Sequence, residues 1–181
     1  MTGFLRYVGL FNAAVWFGAA VGYSLCTAPV FSSAALEELL GPKNFPYFSV
    51  AIGQMPAVRF YHLCLVCGVV ALLHLGAEWI HLGKMPRRRW LAAVLGLFCI
   101  ALFETAWLQP KLSREHGTRF ALNSTAAERT AAAKSFAAWL RVSQGLNFLM
   151  LVGLGLYLWR QGTHADPPPF RHGSPLSYMT K

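Results

Sequence analysis

The chain has 181 residues, of which 55% are hydrophobic and 13% charged, and a net charge of +9. An ordinary soluble domain carries about twice that fraction of charge, so composition excludes one. The basic residues sit between apolar runs, where membrane proteins keep them, rather than on one soluble face with exposed aromatics. That pattern excludes a nucleic-acid-binding module.

Residues 7–36 contain no charge, with Arg6 before them and Glu37 after. A bilayer is crossed by about 20 apolar residues, so a first spanning helix is expected over 7–30. The run is too long for the apolar core of a signal peptide, and a retained span is expected. Ala14, Gly18, Gly22 and Cys26 recur every fourth residue and include a GxxxG pair. Small residues on one face let a second helix approach closely. Packing within the bundle is the expected use of Ala14, Gly18 and Gly22, in preference to dimerisation.

Residues 32–56 read as a connection, because Gly41-Pro42, Pro46, Gly53 and Pro56 punctuate any regular element. Residues 34–40 suit a short helix, and Phe45-Pro46-Tyr47-Phe48 suits a segment at a membrane interface. The second span is expected over 58–80. It carries more ionisable residues than any other apolar stretch: Arg59, His62, His74, Glu78 and, just beyond it, His81. A tight basic loop with Lys84, Arg87, Arg88 and Arg89 follows, and the third span, over 90–108, is interrupted only by Glu104. Pro110 marks a turn or a new helix start.

Residues 111–141 are polar and alanine-rich. Thr125-Ala126-Ala127-Glu128 fits a capping box. A helix starting there and running to Trp159 would be about 50 Å long, well beyond a hydrocarbon core of about 30 Å. The fourth helix is therefore expected to project from the membrane before spanning it over 142–160. Asn123-Ser124-Thr125 matches a glycosylation acceptor, a pattern too short to be specific. The sequence thus divides into a four-span domain, 1–161, and a Pro-rich tail, 162–181, that lacks apolar periodicity and reads as disordered. The fold class is all-α: a polytopic membrane protein, a four-helix transmembrane bundle with a long fourth helix.

Four spans put both termini on one side. The short basic loop lies on that side too, and the positive-inside rule makes it cytoplasmic, in a cell or inner membrane. Tyr7, Trp79, Trp90 and Trp159 then form one interfacial belt.

Ionisable residues inside spans are costly and point to function. Toward the outer side, Glu104, Arg59, His62, Gln144 and Asn147 converge on one layer, with Tyr23 or Thr27 in reach and Arg59, His62 or Arg141 as a counter-charge for Glu104. The layer is either a pocket for an ion, a proton or a small ligand, or a structural salt bridge with interhelical hydrogen bonds. Toward the inner side, His74, Glu78 and His81 share one helical face. They form either a weak metal site or a cluster snorkelling toward the interface, the second being favoured. Every spanning His is on the second helix, so intrachain haem ligation is not expected. The four cysteines, Cys26, Cys64, Cys67 and Cys99, fall in apolar runs and read as packing residues. No nucleotide loop, zinc signature or nucleophile elbow is present, so neither a cofactor nor an enzymatic activity is expected.

Four fragments, Ala28-Pro29-Val30-Phe31, Phe45-Pro46-Tyr47-Phe48, Trp107-Leu108-Gln109-Pro110-Lys111 and the stretch from Phe136 through Ser143 to Asn147, fall in an order and spacing that resembles the four-span family related to transmembrane protein 205. Leu73-His74-Leu75 and Glu78-Trp79 resemble its bacterial branch. The resemblance covers roughly residues 10–160 and implies a four-helix membrane module without an agreed activity. The chain departs from the family in having Leu140-Arg141 where a His-Gly pair is common. The functional expectation is a non-enzymatic accessory or scaffold subunit, embedded in the lipid bilayer and bound to partner membrane subunits. The alternative is a permeation or small-ligand module built on the outer polar layer.

Overall fold

The computed structural model describes residues 2–30, 33–82 and 88–163. The loop residues Lys84 and Arg87 and the tail from residue 164 onward lie outside the described residues. Within them the chain is helical except at residue 33 and over 121–125, as α1 (Thr2–Val30), α2 (Ala34–Leu82), α3 (Arg88–Phe103), a π-helical turn (Glu104–Leu108), α4 (Gln109–Phe120) and α5 (Ala126–Thr163). Four stretches are long and apolar enough to cross a membrane: Tyr7–Thr27, Ala34–His81, Arg88–Phe120 and Ala126–Thr163.

The helices run alternately up and down. Leu5 meets His74 and Asn12 meets Cys67 between α1 and α2, while Ser24 meets Asn147 between α1 and α5. Leu97 lies against Gly153, and Glu104 bonds Ser143, so the third helical stretch is antiparallel to α5. Thr2 and Thr163 therefore lie at one end, and the 121–125 connection at the other.

The connection expected over 32–56 is instead helical. α2 runs from Ala34 to Leu82 and is broken only at Gly41, where φ is 74° and ψ 155°. Only glycine adopts that backbone without a Cβ penalty. Pro42 then restarts the helix at its first position, where its missing N–H would have no partner anyway. Pro46 and Pro56 lie inside the helix and each leaves one carbonyl without its usual donor, a cost that burial of Val50 and Ala57 offsets. α5 is one unbroken helix of 38 residues, about 57 Å long. Its start is the expected capping box: Thr125 donates its N–H to Glu128 Oε2 at 2.7 Å, and Glu128 donates its own to Thr125 Oγ1 at 3.3 Å. The Thr125 N–H, and after it the Thr125 hydroxyl, which donates to the same oxygen at 2.9 Å, hold the Glu128 carboxyl below the usual range.

Two apolar clusters stabilise the packing. The larger, around Trp16, Cys64, Leu97, Met150 and Leu154, fills the half nearer the termini. The smaller, Val50, Leu108, Leu112 and Phe136, lies toward the other end. There Tyr47 stacks on His116 with 5.0 Å between ring centroids, and Lys111 sits over both Trp107 and Trp139 at 5.5 and 5.6 Å. Phe45-Pro46-Tyr47-Phe48 is thus part of a helix that packs on α4. Large apolar side chains also face outward: Phe4, Phe11, Ile80 and Phe148 are each at least two-thirds exposed. Exposed aromatic and aliphatic side chains on three helices suit contact with lipid better than contact with water.

The glycines that let helices approach are not those of the GxxxG pair. A Cβ on Gly9 would fall 2.6 Å from His74 Cε1, one on Gly68 2.7 Å from Phe98 Cδ2, and one on Gly153 2.9 Å from Leu97 Cδ2. Gly18 and Gly22 have nothing within 4 Å of that position, and Ala14 is exposed, so this stripe faces away from the bundle. Gly9→Ala is expected to displace the His74 ring and cost about 1–3 kcal/mol. His74→Ala in the same background should recover part of the loss. Denaturation midpoints in mixed detergent micelles check both, and an unchanged midpoint for Gly9→Ala would remove this contact from the account.

Candidate functional site

Between the two apolar clusters lies a polar layer built on Glu104. In a regular α-helix, residues five apart point about 140° away from each other. The wider π turn brings Glu104 and Gln109 together, and the Gln109 N–H closes that turn on the Glu104 carbonyl. Pro110 accounts for the turn: it offers no N–H to Ala106, and its ring would strike that carbonyl in a straight α-helix. Glu104 is fully buried. Its Oε2 accepts a hydrogen bond from Gln109 Nε2 at 3.1 Å and another from Ser143 Oγ, on α5, at 3.1 Å. Its Oε1 has no hydrogen-bond partner. The Tyr61 hydroxyl faces Glu104 and Ser143 without reaching good hydrogen-bond geometry.

Among the described residues no Lys, Arg or His lies within ion-pairing distance of Glu104. The expected counter-charges point elsewhere, for a helical reason. Tyr61 faces the layer, and at 100° per residue Arg59 lies about 200° away from it and His62 about 100°. Both are exposed, and His62 turns its Nδ1 to the Val58 carbonyl at 2.6 Å. Arg141 precedes Ser143 by two residues and is exposed on the opposite side of α5.

A cavity of about 220 Å³ adjoins this layer, and Gln109, Ser143 and Tyr61 form its wall in front of Glu104. Tyr23, Gln54 and Asn147 line it further round, with Gln144 at its exposed rim. Asn147 donates Nδ2–H to Ser24 Oγ at 3.0 Å, joining α5 to α1. A second cavity, of about 290 Å³, holds His62 and Thr105 and shares Gln54, Tyr61 and Gln109 with the first. Of the expected outer layer, Glu104, Asn147 and Gln144 thus come together, His62 lies across a partition, and Arg59 is absent. Gln109 and Tyr61 were missed as site residues, as was Ser143. Gln109 and Ser143 lie in fragments that carry the family resemblance, and Tyr61 lies two residues after Arg59 in the second span.

The inner group also separates. His74 is buried, and its Nε2–H donates to the Leu5 carbonyl at 2.8 Å, with Glu78 3.8 Å away. It therefore ties α2 to α1 instead of snorkelling. His81 is exposed and apart from the pair. No group of three or more His, Cys, Asp or Glu side chains sits together among the described residues, so His74, Glu78 and His81 do not make a metal site. All four cysteines are free thiols, with Cys64 and Cys67 buried as packing residues and Cys26 and Cys99 exposed.

No family model, curated protein or solved structure matches the chain.

Ser143→Ala removes one of two donors to the buried Glu104 carboxyl group. It should lower stability by about 1–3 kcal/mol. In the Glu104→Gln background the same change should cost a different amount, because the two side chains share one hydrogen bond and are coupled through it. Thermal unfolding midpoints of the four proteins in one detergent make the cycle, and strict additivity would show that the bond contributes nothing.

Proposed function

We propose that this chain is an integral membrane protein whose polar chamber binds a small polar solute. The four helices cross the bilayer, and their apolar outer faces replace the contacts that water could not supply. One observation carries the reading. Glu104 is fully buried, receives hydrogen bonds from neutral donors alone among the described residues, and stands one side chain behind a cavity wall. A carboxyl group held that way in a low-dielectric interior, with one oxygen unpartnered, costs free energy that packing alone does not require. A chamber that draws a solute gives the carboxyl group a use.

The test is ligand-dependent stabilisation. Purified protein in mild detergent is heated with a panel of small solutes at millimolar concentration. At least one is expected to raise the midpoint in a dose-dependent way, as binding to the folded state alone demands. Glu104→Gln, folded by circular dichroism, should lose at least tenfold in affinity. If Glu104→Gln fails to fold, Asn147→Leu serves in its place. A wild-type midpoint indifferent to every solute, or variants that keep the full response, would overturn the proposal.

A second reading, an accessory subunit of a larger membrane assembly, is favoured by the outward stripe of Ala14, Gly18 and Gly22, which no other helix of the chain covers. It predicts a stoichiometric partner chain after isolation from native membranes. A solitary protein in that preparation would count against it.

A further inference from the structure

Resting on the chamber reading above, we infer that the solute is uncharged, with an apolar body and a polar end that both gives and accepts a hydrogen, as a small amide does. The hydrogen bonds around the chamber fix what its wall can offer. Ser24 gives its one hydroxyl hydrogen to the Ala20 carbonyl at 2.9 Å. Its Oγ can then only accept from Asn147, at 3.0 Å, which sets that amide with Nδ2 toward Ser24. The Asn147 Oδ1 is left as a buried acceptor with no partner among the described residues. This assignment does not involve Glu104. On α2, Tyr61 Oη and Gln54 Nε2 are buried without a partner as well, and both have hydrogens to give. The three side chains line the chamber from two different helices, and a solute gains the open atoms by turning each toward the space it borders.

Hydrogen-bond chemistry selects the polar end. An ammonium group has only hydrogens to give and would leave Tyr61 and Gln54 unpaired, while a carboxylate has only lone pairs and would leave Asn147 unpaired. An amide answers both, with its N–H to Asn147 and its carbonyl to α2. A site that presents buried groups of both kinds discriminates strongly against a solute lacking one of them. No Lys, Arg, His, Asp or Glu lines the chamber to pair with a charged solute. The apolar body follows from the order of residues along two helices that run in the same direction, α2 and α5. On α5, Phe136 precedes Ser143, and Leu140 precedes Asn147, by seven residues, about 10 Å along the axis. On α2, Val50 precedes Tyr61 in the same sense. Val50, Phe136 and Leu140, with Leu112 of α4, thus make one end of the chamber apolar, and Tyr61 and Asn147 stand at the other. The cavity, about 220 Å³, is larger than the roughly 150 Å³ that accommodates benzene in an engineered core, so a one-ring solute with one polar group fits.

The experiment titrates full-length protein in detergent calorimetrically with benzamide and with its near-isosteres acetophenone, benzoate and benzamidinium, and subtracts the heats of titration into micelles alone. Benzamide is expected to bind about tenfold more tightly, or better, than each of the other three. Asn147→Leu should weaken benzamide by about that factor and leave acetophenone nearly unchanged, because only the amide gives a hydrogen to Oδ1. Tyr61→Phe should weaken both, because both offer a carbonyl. If neither variant folds, the wild-type ranking decides. Benzoate or benzamidinium binding as tightly as benzamide would overturn this inference and leave the chamber reading standing. So would acetophenone matching benzamide, or Asn147→Leu keeping the preference for the amide. If no probe binds while the solute panel above stabilises the protein, the assigned class is wrong. If neither experiment shows binding, both readings fall together.

Discussion

A carboxyl group buried between two helices constrains everything around it. Glu104 must be given hydrogen-bond partners, because a polar group stripped of water in a protein interior is otherwise costly. The protein supplies them from two directions: Gln109 along the same helical stretch and Ser143 from α5. The first requires the π turn. The second requires α5 to cross at the level of Ser143, which in turn sets Asn147 opposite Ser24 of α1. Three of the four long helical stretches are thus placed in register by one side chain and its satellites.

The two apolar clusters have a complementary role. Dispersion and close fit hold these apolar helices together. Gly9, Gly68 and Gly153 provide that fit by admitting His74, Phe98 and Leu97 against a neighbouring backbone. The clusters do not meet around the polar layer, and the chamber is the space they leave.

At the end away from the termini, helices extend further than a hydrocarbon core requires. α4 and the first half of α5 form a short helical pair, closed by the Thr125–Glu128 box and by Lys111 between two indoles. This extension supplies Leu112 and Phe136 to the chamber. It therefore belongs to the site and is more than a loop between spans.

Much of this was legible in the sequence. Charge-free runs of sufficient length announced four long apolar helices, because the cost of burying charge is the same wherever a helix goes. The capping box and the unbroken fourth helix followed from local chemistry, which acts within one turn. The importance of Glu104 followed from its rarity. What only the tertiary structure decided is which way side chains face. Gly18 and Gly22 fit a packing motif yet point outward, while the unremarked Gly9 meets His74. Arg59 is close to Tyr61 in sequence and on the wrong side of the helix. The π turn, invisible in composition, rotated Gln109 onto Glu104. Spacing along a chain defines relative angles on one regular helix, but the absolute rotation of each helix, and any local change in its pitch, is set by packing against the others.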